Sequence, residues 1–293
     1  MTPDMGRALR NFAAARYWFI TDRCHEERFL LRPDPGTNAL VLAAIIEAAT
    51  LSGVGVLALC VMGNHWHMVL RIGVDSTSIP LFMQRAKANV ARTLNIHRGR
   101  HGTFWGDRYH AIPIVDEAAV LERIVYTLMN PVAAGLVSKA HEYPGLSSLE
   151  ASTDLRPACG RLPIPIELPP QWLGLSRAQL AAQRAALRQE LARRETLLCN
   201  ERREVGLARP KPVDCVRCDP FARPPRPARR RAPLCFAITS LARRAFRETR
   251  RAFVAAYRVA SHLFRDGVLD TAFPYGAFPP RLLRPPVVDG HVA

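Results

Sequence analysis

The chain is short of acidic residues. Its 293 residues include 25 Asp and Glu against 41 Lys and Arg, which gives a formal net charge of +16 at pH 7. Basic side chains that neutralise phosphates release counterions, so this imbalance favours a polyanionic partner such as nucleic acid. A solvated basic surface or an arginine-rich genome gives the same balance, and composition alone leaves that alternative open.

The shortage of acid is confined to one half of the chain. Residues 1–150 contain 15 Lys and Arg against 13 Asp and Glu, whereas residues 151–293 contain 26 against 12. We therefore expect two units: a conventional folded domain over 1–150, which carries the chemistry, and a basic region over 151–293, which supplies much of the electrostatic attraction.

Long apolar runs are also missing. No stretch of eighteen or more apolar residues occurs, and the first ten residues lack the charged and then apolar order of a signal peptide. The sequence therefore predicts a cytoplasmic protein.

The cysteines show no pattern of a disulfide framework. There are seven, an odd number without regular spacing, which is typical of reduced thiols. Cys215 and Cys218 have the spacing of half a zinc site and Cys199 lies upstream, but no second pair completes four ligands. We predict no structural zinc.

Two histidines stand two apart on an apolar segment, His65-Trp66-His67. Residues i and i+2 of a strand share a face, so both imidazoles can converge on one metal ion while Trp66 points into the core. The alternative is a pair of partly buried histidines without a ligand.

A second pair, Tyr126 and Asn130, is spaced i and i+4. A helix over about 117–129 would stack the two side chains one turn apart, a nucleophile beside a candidate ligand. Apolar residues at helical spacing around Tyr126 allow the alternative of a core tyrosine with a satisfied hydroxyl.

Three segments resemble known motifs in their order along the chain. Residues 58–70 are similar to the HUH signature of single-tyrosine transposases, and residues 126–137 resemble the tyrosine helix of their REP-associated branch. Between them, residues 104–110 are similar to the aromatic and basic hairpin of that branch. The resemblance covers about residues 14–150.

The resemblance implies His65, His67 and Asn130 as ligands of a divalent metal, Mg²⁺ or Mn²⁺, and Tyr126 as the nucleophile. It implies a bacterial, nucleoid-associated transposase that cleaves and rejoins single-stranded DNA at palindromic repeat hairpins through a 5′-phosphotyrosine, as a monomer or homodimer. Two alternatives stay open: a domesticated protein that binds repeat DNA without cleaving it, and an RNA-binding ferredoxin-like module.

The DNA would be held by basic and aromatic side chains, since arginines hold phosphates and aromatic rings stack on unpaired bases. Surface solvation of the basic residues and packing of the aromatics are the alternatives. The predicted DNA-binding residues are Arg85, Lys87, Arg92, Arg98, Arg100, Trp105, Arg108 and Tyr109.

The order of elements over 1–150 predicts an α+β fold, a ferredoxin-like βαββαβ antiparallel sheet followed by a helix, which is also the HUH nuclease fold. Apolar and β-branched runs predict strands over 17–21, 56–61, 65–72 and 109–115, and helices over about 39–51, 78–97 and 117–129. We expect Asn38 and Asp116 to cap the first and third helices, and the third to end before Pro131.

The sequence of residues 151–293 predicts a mostly helical extension that is rich in arginine and proline. Helices are expected over 176–194, with Ser176 as the cap, and over 240–264. Linkers are expected over 161–170, around an exposed or half-buried Trp172, and over 209–233, followed by an irregular tail from 271. The arginines of the last helix could follow a phosphate backbone or form a solvated face.

Overall fold

A four-stranded antiparallel sheet forms the centre of the chain, in a computed structural model that describes residues 9–155, 165–224 and 232–278. The strands are β1 Tyr17–Arg23, β2 Gly55–Val61, β3 His65–Arg71 and β4 His110–Ile114. Their order across the sheet is β2-β3-β1-β4. This confirms the predicted antiparallel α+β fold and places β3, with both histidines, between β2 and β1.

Helices α1 (Pro35–Ser52) and α2 (Ser78–His97) pack together on one face of the sheet. By length and hydropathy α1 could cross a membrane, but here its apolar side chains, among them Val41 and Ile45, lie in the protein core. Trp66 points into the same core and is fully buried, as the alternation along β3 predicts.

The predicted cap of α1 is wrong. Asp34, not Asn38, caps the helix, because its carboxylate accepts the Thr37 N–H at 2.7 Å and Pro35 supplies a preset first helical residue. Asn38 lies inside the first turn, where its amide donates to the Pro144 carbonyl at 2.9 Å.

Helix α3 (Glu117–Ala133) packs on the opposite face of the sheet. Asp116 caps it as predicted, its carboxylate accepting the Ala119 N–H at 2.8 Å. The helix does not end before Pro131, as predicted, but continues through it. Proline removes one donor, while the Ala134 N–H still bonds the Asn130 carbonyl at 2.9 Å, so the last turn is retained.

The extension is helical and shares the core beneath α3. It contains α5 (Arg177–Glu204), α6 (Pro212–Arg217) and α7 (Ser240–Arg265), while α4 (Leu149–Thr153) spans its predicted start. Leu187 and Leu191 of α5 are buried in the same cluster as the inner side of α3. The division at residue 150, which rests on charge, stays a prediction.

Two expectations for the linkers need correction. Trp172 is buried, with 2 % of its surface exposed, because its large apolar ring joins the core under α3 instead of following the extended chain. The linker predicted over 209–233 contains the short helix α6, and its residues 225–231 lie outside the described residues, as do 161–164 and the tail from 279. Ser176 caps α5 as predicted.

Candidate active site

The two histidines lie side by side at one end of the central strand. On β3, His67 is paired across the sheet with Thr21 of β1 and Cys60 of β2. The ring centroids of His65 and His67 are 4.7 Å apart, and both rings lie on the face that α3 covers. The two imidazoles thus share a face, as their spacing along the strand predicts, and their binding of one metal ion stays a prediction.

His67 is buried without a polar partner. Only 6 % of the residue is exposed, and neither ring nitrogen has a hydrogen-bond partner among the described residues. Burial lowers the pKa of His67 well below its usual value, with His65 and Arg23 adding to the shift. A neutral imidazole with an unpaired nitrogen is the form that binds a metal ion, and leaving it unpaired is unfavourable.

His65 is oriented by its neighbour. Its Nδ1 lies 2.6 Å from Oδ1 of Asn64, whose own amide donates to the Glu27 carbonyl at 2.9 Å. The Asn64 oxygen is thus the acceptor, so His65 carries its proton on Nδ1 and leaves the Nε2 lone pair for a ligand. Burial, with a smaller effect of Arg23, lowers the pKa of His65 to about 3.

Tyr126 faces His67 and is open to solvent. The residue is 39 % exposed, and its ring stands edge-on to His67, with 5.9 Å between centroids. Phe19 of β1 contacts both rings, at 5.6 Å from Tyr126 and 5.7 Å from His67. The alternative of a core tyrosine is wrong, since the ring lies at the edge of the core.

Asn130 lies one turn after Tyr126 on α3, as its spacing predicts. It is 9 % exposed, and its amide nitrogen donates to the Tyr126 carbonyl at 2.9 Å. This bond leaves the side-chain oxygen of Asn130 available as an acceptor or ligand. No hydrogen bond joins it to either histidine in the described part of the chain, so its role as third ligand stays a prediction.

Two side chains of the site had not been predicted. The guanidinium of Arg123 lies 4.6 Å from the centroid of the Tyr126 ring and 4.3 Å from that of Phe236. Burial lowers the pKa of Arg123. Its position three residues before Tyr126 on the same helix could have indicated this contact.

Phe236 reaches the site from the extension. Its N–H donates to the Pro113 carbonyl and its carbonyl accepts the Val115 N–H, both at 2.9 Å, so it lies along the edge strand β4. Its ring stands edge-on to Phe19 at 5.5 Å. Nothing in the local sequence around Phe236 predicts this pairing.

Four of the predicted DNA-binding residues are engaged in the fold. Lys87 forms an ion pair of 2.6 Å with buried Asp22. The side chain of Arg98 is buried and donates to the carbonyls of Leu30 and Arg32. Arg100 donates to Asn95 and to the Thr103 carbonyl, and Trp105 packs on Trp66 with 4.3 Å between centroids. A role of these four in DNA contact stays a prediction.

The other four are more accessible. Arg85, Arg92 and Arg108 are exposed, and no ion pair or hydrogen bond of their side chains occurs within the described ranges. Tyr109 is half-buried under Arg10, whose guanidinium lies 4.2 Å from the ring centroid. The exposed arginines are therefore the better placed cations for a phosphate.

The chemistry of the donors fits a divalent ion. No group of three His, Cys, Asp or Glu side chains that could hold a metal occurs in the described part of the chain. The candidate set here is two imidazoles and a carboxamide, which leaves positions for phosphate oxygens or water. Such a mixed nitrogen and oxygen set is compatible with Mg²⁺ or Mn²⁺.

Comparison with known proteins gives one family match. Residues 19–125 match the family described as Transposase IS200 like. This range includes most of β1, all of β2, β3 and β4 with His65 and His67, and the first half of α3. The matched segment ends one residue before Tyr126. No curated protein matches the chain.

Two solved structures are similar to parts of the chain. One is a REP-associated tyrosine transposase bound to a REP hairpin, with 16 % identity and a TM-score of 0.40 over 57 % of this chain and 99 % of that one. The other is a protein of Deinococcus radiodurans R1 named as a transposase, with 17 % identity and a TM-score of 0.30 over 42 % and 93 %.

Proposed function

We propose that this chain is a metal-dependent transposase that cleaves and rejoins single-stranded DNA, a proposal supported by the match of residues 19–125 to the IS200-like transposase family. The observation that supports the chemistry is the pairing of solvent-exposed Tyr126 with His67, a buried neutral imidazole without a partner. The substrate is a palindromic repeat folded into a hairpin, and the protein acts in the cytoplasm on the bacterial chromosome.

Tyr126 is the nucleophile. Its phenolic oxygen attacks phosphorus in line, so an O–P bond to tyrosine forms while the bond from phosphorus to the 3′-oxygen breaks. The phenolic proton is lost, and the departing 3′-oxygen gains one to become a 3′-OH. The DNA is left as a 5′-phosphotyrosine, which retains a phosphodiester, so rejoining by a 3′-OH needs no ATP.

His65, His67 and Asn130 would hold the metal ion through the His65 Nε2, a ring nitrogen of His67 and the Asn130 oxygen. A bound Mg²⁺ or Mn²⁺ would neutralise charge on the scissile phosphate. Asn64 orients His65 for this task, because its oxygen fixes the proton on Nδ1. Arg85, Arg92 and Arg108 supply exposed cations for the DNA strand.

The test is a covalent adduct. The full-length protein is incubated with end-labelled single-stranded hairpins and Mn²⁺ or Mg²⁺ and then resolved on a denaturing gel. We expect an SDS-stable complex that Tyr126→Phe abolishes. Tyr275→Phe is the matched control, because Tyr275 is exposed and lies outside the site.

Each other outcome of this experiment would favour a different reading of the protein. An adduct that persists in Tyr126→Phe would refute Tyr126 as the nucleophile. Binding of repeat DNA without any adduct under either metal would favour the non-catalytic, repeat-binding alternative. Tighter binding of RNA than of DNA, again without an adduct, would favour the RNA-binding module.

A further inference from the structure

Helix α7 carries a stripe of arginine. Within Ser240–Arg265 there are seven arginines and one glutamate. A seven-residue step brings a helix to within about 20° of its starting direction and advances it by about 10 Å. Four arginines follow this step and therefore lie in one row along the helix: Arg244, Arg251, Arg258 and Arg265. The other three, Arg243, Arg247 and Arg250, widen that row at its N-terminal end.

Helix α5 provides a comparison within the same chain, because acidic side chains neutralise many of its arginines. Helix α5 also has seven arginines, but four glutamates accompany them. Arg193 and Arg194 both pair with Glu190, at 2.8 and 2.6 Å. Arg184 pairs with Asp154 at 3.0 Å. These contacts account for much of the charge of α5 within the fold.

In the described residues, most arginines of α7 have no acidic partner of this kind. Among the residues that the structure describes, Arg244 is the only arginine of α7 that meets an acidic side chain, Glu248 at 3.1 Å, and both are exposed. Arg247, Arg251 and Arg258 are exposed and form no ion pair or hydrogen bond within residues 9–155, 165–224 and 232–278. Like charges along one helix repel each other, so these side chains do not stabilise α7 itself.

The aromatic residues of α7 lie away from the arginine row. Phe246 and Phe253 are buried on the inner side of the helix, and Tyr257 contacts Phe273 at 5.3 Å between centroids. Proteins that hold single strands use exposed aromatic rings on which bases stack. A row of guanidinium groups without exposed rings suits the phosphates of a duplex, whose bases are already stacked.

The start of α7 is fixed to the start of α3. Asp116, which caps α3, also accepts the N–H groups of Ile238 and Thr239, at 2.7 and 3.2 Å. Farther along the helix, Arg250 donates to the Leu9 carbonyl at 3.2 Å. Helix α7, which carries the arginine row, therefore starts next to Asp116, the residue that also caps the helix of Tyr126.

We propose that the arginine row of α7 binds the phosphate backbone of double-stranded DNA, independently of sequence. The helix is about 39 Å long, close to one turn of duplex DNA. Its ligand would be the paired stem or flank next to the single-stranded target. The inference goes beyond the proposed chemistry, since duplex binding by α7 requires neither Tyr126 nor a metal ion.

The experiment compares two triple variants of the full-length protein that lose the same charge. The first is Arg247→Ala, Arg251→Ala, Arg258→Ala on α7. The control replaces three exposed arginines of α5 by alanine, namely Arg177, Arg193 and Arg203. Alanine favours helix at least as well as arginine, so both helices should persist, which circular dichroism checks. The probe is a fluorescent blunt-ended duplex of about 20 base pairs without a repeat sequence, titrated at several salt concentrations.

We expect the α7 variant to lose roughly 2.7 from the slope of log K against log salt, since each lost phosphate contact removes about 0.9. Its affinity near 0.1 M salt should fall at least about tenfold, while the α5 control changes by less than one contact. Equal losses in both variants would overturn the proposal, because net charge alone would then explain binding. Unchanged duplex binding with lost affinity for vesicles containing phosphatidylserine would overturn it in favour of a membrane surface.

This test is separate from the test of cleavage. Tyr126→Phe should bind the duplex as the unmodified protein does, because its arginine row is intact. A failure of the α7 variant to lose duplex affinity would leave the adduct assay untouched, and absence of an adduct would leave the duplex titration untouched.

Discussion

The guanidinium of Arg123 lies over the ring of Tyr126, 4.6 Å from its centroid. Phe236 contacts the same guanidinium at 4.3 Å, so Arg123 is held between two aromatic rings. If Tyr126 attacks phosphorus as proposed, a fixed cation beside the phenol would stabilise the negative charge that develops on its oxygen. The contact also restricts the orientation of an otherwise exposed ring.

Replacing Arg123 by methionine should slow adduct formation about tenfold or more at saturating DNA. Methionine retains an apolar stem but no charge, whereas Arg123→Lys keeps the charge and should recover part of the rate. The measurement is the single-turnover rate of adduct formation, together with the dissociation constant of the hairpin. If methionine weakens hairpin binding and leaves the saturated rate unchanged, Arg123 holds DNA and does not position Tyr126.

Tyr126 and His67 meet within one chain. If the site acts as it stands, a mixture of Tyr126→Phe and His67→Ala should form no adduct, because neither chain has both groups. A size tag on one variant shows which chain carries labelled DNA. Adduct on the His67→Ala chain in the mixture would mean that two copies exchange their tyrosine helices. Each variant alone and the unmodified protein at the same concentration are the controls.

The sequence predicts the sheet well because its signals are local. Residues 55–61 and 65–71 are apolar runs joined by a three-residue turn, and α2 has the predicted limits of 78–97. Two residues apart on β3, His65 and His67 necessarily share a face. Four residues apart on α3, Tyr126 and Asn130 necessarily share a side.

Other features of the fold and of the site could not be predicted, because they depend on contacts between segments that are distant in the sequence. Prolines around Trp172 indicate an exposed linker, yet burial of the indole in the core under α3 decides its position. Phe236 follows a segment rich in arginine and proline, and only the folded chain brings it to β4. Lys87 resembles a phosphate contact in sequence, since nothing near it along the helix identifies its partner Asp22.

The two histidines make the stability of the metal-free protein depend on pH. Their folded-state pKa values lie below the ordinary value of 6.5, that of His65 at about 3. The unfolded chain therefore takes up protons below pH 6.5 that the folded chain does not accept. The free energy of unfolding should fall as pH drops from 7 towards 4, by at most about 1.4 kcal/mol per pH unit for each histidine.

Urea unfolding in EDTA at several pH values measures this slope. The double variant His65→Gln, His67→Gln should flatten it, whereas His101→Gln should not, because the ring of His101 is exposed. A slope that is the same in all three proteins would contradict burial of neutral imidazoles at the site.

We expect Lys87 to contribute mainly to the stability of the fold and not to DNA binding. Asp22 is 3 % exposed, and burial raises its pKa even though Lys87 lies 2.6 Å away. Lys87→Met would leave this carboxylate buried without its cation, which should lower the free energy of unfolding by about 3 kcal/mol. Adding Asp22→Asn to that variant removes the unpaired charge and should restore part of the loss. Chemical denaturation measures all three proteins, with Arg85→Met as the exposed control on the same helix. If Lys87→Met is as stable as Arg85→Met but binds the hairpin more weakly than the unmodified protein does, Lys87 is a DNA contact after all.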